Sequence, residues 1–362
     1  MINAVIIGFA HMHVNEIAVY IDETEDFRLV GMADVPLAEA EKTSARYTRA
    51  WNIKNNSEKY GINPHEDYRV MLDELKPNLA FIVCDNASKP DVVLECAKRG
   101  VNICIEKPLA VNLESALKIK KIVDEYGIEA IVNWPVLWRP FLHKQIAAYK
   151  SGIVGKLIKS FYINGHTGPL GKGAKHRGVT ETAEELTDTQ RASTWWYKEE
   201  TGGGAFLDIG CYGCFFSEWI RDGKDEAVSV NAYSKNFNHP YMNAPDNIVA
   251  VAEYEDSYSV MEGTWTTPQI TLPTGPVYTC TEGVLYCDQN REIVAYDIYG
   301  EKIELPEYEV PQHIKNMPDH YAYCKKNGLP IMKEATLDFN IKVMRLLDAA
   351  IRSANQGEKV IF

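Results

Sequence analysis

The sequence predicts an α/β protein in which a doubly wound parallel sheet is followed by a larger α+β part. Two observations predict it. Up to about residue 132, short runs that are apolar on both faces alternate with helical segments, the grammar of a parallel sheet covered on both sides. Beyond about residue 135 apolar and polar residues alternate within strands, as where Val228, Val230 and Ala232 interleave with Ser229, Asn231 and Tyr233. That period of two marks an antiparallel sheet with one covered face.

Each element can be justified in order. Residues 4–7 form the first strand, closed by Gly8, and 14–21 the helix after it. Residues 27–34 form a second strand ending in an acid. Residues 36–50 read as helix, with Pro36 in its first turn. A short amphipathic helix at 68–75 and a buried strand at 79–84 follow. The helix at 91–99 is closed by Gly100, and the strand at 101–105 comes next. A helix at 113–126 stops at Gly127, before a strand at 128–132. The second part opens on a helix at 141–149. Strands then read at 156–164, 227–234, 247–254, 258–265 and 277–287. Residues 166–198 have few apolar runs, and loops that long are usually functional. Near the end, Leu337, Ile341, Met344, Leu347 and Ile351 share one helical face. The boundary is set at 132/133, giving units 1–132 and 133–362, with a last helix at about 335–354 that packs back on the first.

Composition narrows the function. The 362 residues are 46% hydrophobic and 24% charged, which excludes disorder and repetitive fibres. The formal net charge is −12 and no basic patch is evident, which argues against nucleic acid and anionic membranes as partners. No run approaches the ~18 apolar residues of a spanning helix, and no signal-like segment opens the chain, so a cytoplasmic location is expected. The eight cysteines are then free thiols in a reducing compartment.

Three motifs carry chemistry. The turn Gly8-Phe9-Ala10-His11-Met12-His13 stands where a dinucleotide fingerprint G-x-G-x-x-G would. Its first position is met, its second is Ala10, and its third is His13; an ordinary strand-to-helix turn is the plainer alternative. Asp34 ends the second strand where an acid binds ribose hydroxyls, which favours NAD over NADP, although it could equally cap a helix. His11 and His13 also form an H-x-H pair, but a helix start that needs open amides argues against a metal, and none is expected. The second motif is Glu106-Lys107-Pro108 at a strand's carboxyl end, where burial beside a cationic nicotinamide would disfavour the ammonium and suit it to proton transfer. Pro108 is a candidate cis proline. The third is Gly202 to Tyr212, in which Asp208 and Tyr212 lie four apart on one helix face. Cys211 and Cys214 there read as packing, and Cys84 and Cys211 as the thiols to watch for reactivity near a cofactor.

Together these motifs resemble the Gfo/Idh/MocA family of nicotinamide-dependent oxidoreductases over nearly the whole chain. Glu106-Lys107-Pro108 matches its E-K-P, Gly202 to Gly210 its G-G-G-x-x-x-D-x-G, and Cys96 to Ile103 its A-x-x-A-G-x-x-V block. Cys280 to Leu285 approximates its G-T-E-G-x-L turn. The loop usually T-P-N-x-x-H is Cys84-Asp85-Asn86-Ala87-Ser88-Lys89, keeping only Asn86. The resemblance implies a Rossmann domain and a C-terminal domain with a large, open, mostly antiparallel sheet whose free face builds a homodimer or homotetramer. It implies Lys107 as catalytic lysine and Asp208 as substrate-orienting acid. Tyr212 stands where most members have histidine, as in a branch resembling glucose–fructose oxidoreductase, dihydrodiol dehydrogenase and aldose dehydrogenases. Its phenol would act as acid and base with its pKa lowered by Lys107.

The expected cofactor is NAD, with NADP less favoured, held by Gly8, Ala10, His11, Met12, His13, Asp34, Cys84, Asp85, Asn86, Glu106 and Lys107. The expected substrate is a sugar or polyol, contacted by Trp138, Arg139, His166, Trp195, Asp208 and Tyr212, with Trp134 and Trp196 also in reach. The expected reaction is hydride transfer between NAD and a carbinol. The alternative is a non-catalytic NAD or sugar sensor on the same fold.

Overall fold

The computed structural model describes residues 1–362 apart from 38, 269, 270 and 274. The first sheet contains β1 (Ile2–Ile7), β2 (Phe27–Ala33), β3 (Leu79–Ile82), β4 (Asn102–Glu106) and β5 (Ala130–Asn133). All are parallel, in the order β2-β1-β3-β4-β5. The helices between them are α1 (Val14–Asp22), α2 (Arg49–Tyr60), α3 (Tyr68–Leu75), α4 (Lys89–Ala97) and α5 (Leu113–Tyr126). The strands are mostly apolar because helices cover both faces; Ile6, Ile7, Ile82, Ile103 and Ile105 are fully buried. Strand order reverses direction beside β1, which opens a ligand crevice at the carboxyl ends of β1 and β3.

The second sheet is nine-stranded. Its strands are β6 (Leu157–Gly165), β7 (Ser229–Lys235), β8 (Asn247–Glu253), β9 (Tyr258–Thr264), β10 (Val277–Cys280), β11 (Gly283–Cys287), β12 (Ile293–Asp297), β13 (Lys302–Ile303) and β14 (Val360–Ile361). Their order is β13-β12-β11-β10-β6-β9-β8-β7-β14, and β6–β9 is the one parallel pair among them. Helices α6 (Pro140–Lys150), α7 (Asp188–Ser193), α8 (Cys211–Ile220), α9 (Met317–Asn327) and α10 (Leu337–Gln356) complete the fold. Helix α10 touches α8 and β7 as well as α5 and β5. Its ends are fixed by Thr336, whose side chain accepts from the Phe339 amide, and by Gly357 at φ +69°.

Three expectations are corrected. Residues 36–50 are not a helix; the chain runs irregularly to Thr48, and Ala38 lies outside the described residues. Tertiary bonds hold it there: Arg46 Nη1 reaches Thr182 O, Tyr47 Oη reaches Glu181 O, and the Lys42 amide reaches Ser193 Oγ. Residues 277–287 form the hairpin β10–β11 rather than one strand. Residues 166–198 contain α7 and a short 3-10 turn, Trp195–Tyr197. No helix among the described residues is long and apolar enough to cross a membrane.

Candidate active site

The turn after β1 is tight because Gly8 adopts φ +90° and a Cβ there would lie 2.5 Å from the Cys84 amide nitrogen. The Phe9 amide donates to Asp34 Oδ1 at 3.0 Å and the His11 amide to Val83 O at 3.3 Å. Among the described residues no hydrogen bond engages the Ala10 or Met12 amide. Two open donors at the start of α1 suit a pyrophosphate. Asp34 does not cap a helix, since among the described residues the next helix after it begins at Arg49. Its carboxylate instead takes Arg49 Nη1 at 3.0 Å and keeps its side chain 24% exposed, so an edge stays free for ribose hydroxyls. Arg49 Nη2 also reaches Asp85 at 3.4 Å, and Asp85 accepts from the amide and hydroxyl of Ser88. Asn86 Nδ2 donates to Gly202 O at 2.8 Å, drawing the glycine run to the crevice.

His13, in the third fingerprint position, turns toward the second motif: its Nδ1 lies 2.9 Å from Glu106 Oε1. Asn133 Nδ2 holds the other Glu106 oxygen at 2.8 Å. The Lys107–Pro108 peptide is cis, as expected. Two buried lysines meet here and differ in what they leave free. Lys89 Nζ donates to Asn86 Oδ1, Glu106 O and Pro108 O, which uses all three of its protons. Burial pushes this amine down to about 8. Among the described residues Lys107 Nζ donates only to Asp208, to its backbone oxygen at 2.6 Å and to Oδ1 at 3.3 Å, which leaves one N–H for a ligand oxygen.

The expected weakening of the Lys107 ammonium is offset by its neighbours. Burial works against the ammonium, but Tyr212 and Asp208 beside it outweigh burial and hold its pKa above the ordinary range. Burial would likewise raise Asp208, yet Lys107 and then His166 keep this carboxyl well below the usual range. Asp208 Oδ2 also receives Trp265 Nε1 at 3.1 Å and lies 3.0 Å from His166 Nε2. Tyr212 is the second correction. Its ring lies under Lys107, 5.1 Å from Nζ to centroid, and edge-on to Trp134. Burial pushes the phenol up, and the opposing pull of Lys107 does not reverse it.

The crevice between the motifs is lined by His11, Asn86, Lys107, Asp208, Trp195 and Trp196 and is closed, with no room for a water-sized sphere. Segment 166–201 closes it from above: Trp195 Nε1 donates to Ala10 O at 2.9 Å, and the Trp196 ring meets His11 edge-on at 4.6 Å. Met12 is buried in the same apolar cluster as Tyr47, Trp195 and Trp196. His11, His13 and Glu106 place one possible metal ligand each within 4.8 Å of the others. The His11 ring argues against a metal. Its Nδ1 accepts the His13 amide at 3.1 Å, so Nε2 carries the proton and is a donor. Among the described residues that Nε2–H is buried without a partner. Burial, His13 and Lys107 keep the ring neutral.

Several expected substrate contacts fall elsewhere. Trp134 is core, bonded to Asn340 Oδ1. Trp138 is buried against His320 and bonded to Asn133 Oδ1, where it steadies the group that holds Glu106. Arg139 is exposed at the start of α6. Cys84 and Cys211 are buried, and burial pushes both thiols up, Cys211 to about 12, so neither is reactive. Sequence reasoning missed Lys89, Arg49, Trp265 and His176. Only Lys89 left a signal, since it stands where the resembled loop has histidine.

Two family models match the chain. One is described as an oxidoreductase family with an NAD-binding Rossmann fold and covers residues 2–134. The other, a GFO/IDH/MocA C-terminal domain, covers residues 175–285. A dTDP-3,4-didehydro-2,6-dideoxy-alpha-D-glucose 3-reductase of Actinomadura kijaniata is 25% identical over 195 residues, 51% of this chain; the match spans about half of that relative, 52%. A trans-1,2-dihydrobenzene-1,2-diol dehydrogenase of Xenopus tropicalis is 22% identical over 89% of this chain and 92% of its own. The crystal structure of aldose-aldose oxidoreductase from Caulobacter crescentus, complexed with glycerol, superposes over 100% of this chain and 99% of its own at TM-score 0.76 and 16% identity. The two matched models, in the order and over the two sheets described above, show that the chain belongs to the Gfo/Idh/MocA family of NAD-binding oxidoreductases.

Proposed function

We propose that this chain transfers a hydride between NAD and a carbinol or carbonyl carbon of a sugar or polyol. The observation that carries the reading is Lys107. It is a buried ammonium at the carboxyl end of a parallel strand, held charged by Asp208, with one N–H unspent in the crevice. The residues present fit the cofactor. The open Ala10 and Met12 amides suit its diphosphate, Asp34 its ribose, and Asn86 and the His11 Nε2–H the nicotinamide end. When bound, the nicotinamide supplies a two-electron hydride acceptor or donor. Lys107 then holds the substrate oxygen and stabilises negative charge developing on it. Asp208 keeps Lys107 in place, and Trp195 and Trp196 offer apolar faces to a sugar ring. The crevice leaves no room for even a water-sized sphere, so a substrate enters only when the Trp195–Trp196 wall moves back. The names of the relatives, a sugar reductase, a diol dehydrogenase and an aldose oxidoreductase, support an alcohol substrate of this class. Absorbance of NADH at 340 nm across sugars, inositols and sugar acids tests the reading. Turnover with at least one is expected; tight NADH binding with none would favour a sensor.

We also propose a homo-oligomer built through the open face of the nine-stranded sheet. Asn231, Val251, Val260, Phe161 and Val277 stand in register across five strands as a continuous row, none of them fully buried. Tyr233, 71% exposed, extends the face. A soluble monomer rarely leaves such a surface uncovered. Light scattering is expected to give at least twice the 40.9 kDa chain mass, and Val251→Glu to reduce it to one chain. A monomeric parent would remove the idea.

A further inference from the structure

We propose that His166, oriented by Asp208, is the group that takes and returns the hydroxyl proton. The assignment rests on the hydride-transfer reading above. The geometry comes from two distant segments. His166 follows directly on β6, its amide bonded to Thr264 O, and Asp208 sits in the π-helical turn Phe206–Gly210 before α8. His166 Nε2 lies 3.0 Å from Asp208 Oδ2. Asp208 is an ionised carboxylate and can only accept, so Nε2 carries the proton. This leaves Nδ1 as a bare lone pair, and among the described residues it is buried without a hydrogen-bond partner. An acid that fixes the imidazole tautomer, with the opposite nitrogen free, is the arrangement that turns histidine into a general base.

The surroundings keep that geometry. Trp265 stacks on the His166 ring at 6.1 Å between centroids and donates to the same Asp208 oxygen. Lys107 holds the other oxygen, so the carboxylate is fixed from three sides. The charged and titratable groups near the ring are Asp208, the Lys107 that Asp208 holds, and His176, which meets the His13 ring edge-on at 6.3 Å. The His239–Asp246 pair lies beyond Trp265. His166 keeps 32% of its side chain accessible, while Nδ1 itself is covered, so a substrate hydroxyl reaches it only by displacing what covers it. By contrast the Tyr212 phenol is buried under Lys107 among Trp134 and the α8 core.

In the oxidative direction the O–H bond of the alcohol breaks and its proton passes to His166 Nδ1. The oxygen's electron pair forms the second C–O bond as the C–H pair leaves as hydride to the oxidised nicotinamide. The imidazolium that results is stabilised by Asp208, while Lys107 holds the oxygen. The reverse direction returns the same proton.

The test uses the full chain with the sugar that gives it the highest turnover. His166→Asn is expected to lose on the order of 10²–10⁴-fold in kcat while binding NADH like the parent, and to abolish the acid limb of the kcat–pH profile. Tyr212→Phe is expected to keep that limb and to stay within about tenfold of the parent, having lost no proton-transfer group. Nitrogen-15 histidine NMR supplies a readout independent of turnover. The resonances lost in His166→Asn should belong to an Nε2–H tautomer, and should change in Asp208→Asn. A His166→Asn protein with parental kcat and an unchanged acid limb overturns the proposal alone, as does an Nδ1–H tautomer at His166. A parent chain that oxidises nothing in the panel overturns the hydride-transfer reading, and this assignment with it.

Discussion

Lys107→Met is expected to reduce turnover on the order of 10²–10⁴-fold while NADH still binds, the size of effect for a lost positioned charge next to reacting atoms. The side chain is 98% buried, and methionine fills much the same volume, so packing should survive. What disappears is the ammonium that Asp208 keeps protonated and the one N–H it leaves free. Because the folded pKa is raised, this lysine stays charged throughout the range in which enzymes are assayed. It therefore acts by holding charge and not by moving a proton, and no alkaline limb of the pH profile should belong to it. Steady-state kinetics alongside NADH fluorescence titration checks both halves. Near-parental kcat in Lys107→Met would remove the residue from the chemistry, whereas loss of NADH binding would make it a cofactor contact.

The sequence made the parallel sheet legible because the strands bury most of both faces and so appear as short, largely apolar runs. Helix α2 was illegible for the opposite reason. Its inward residues include Asn52 and Asn56, which bond to Phe9 O, Tyr47 O and Asn15, a buried polar network with no apolar period to detect. Motifs showed where Lys107 and Asp208 were, but not that they meet 101 residues apart, nor which of them governs the other's charge. The tryptophans were ambiguous in kind: the same residue type serves as core at Trp134 and as crevice wall at Trp195, and only tertiary placement separates them. His166 read as a substrate contact because its partner, Asp208, is 42 residues away and invisible to any local pattern.

Asp208→Asn is expected to destabilise the fold by roughly 3–5 kcal/mol, the cost of removing one partner from a buried ion pair. The asparagine keeps the shape but leaves the Lys107 ammonium buried without a counter-charge, 2% exposed. The pH dependence follows from the two shifts. The Asp208 carboxyl is lowered by folding, so its contribution is present above its unfolded value of about 4 and disappears as pH falls through its lower folded value. The Lys107 ammonium is raised, so its contribution is present below about 10.4 and disappears only as pH rises beyond that. The pair is thus fully charged from about pH 4 to about pH 10, and the loss in Asp208→Asn should be nearly constant across neutral pH. The double variant Lys107→Met with Asp208→Asn decides whether the pair or the carboxylate alone matters. Removing both charges should recover stability relative to Asp208→Asn, with a coupling on the order of 0.5–3 kcal/mol in urea titrations. Strict additivity would mean that His166 and Trp265, not Lys107, are what Asp208 stabilises.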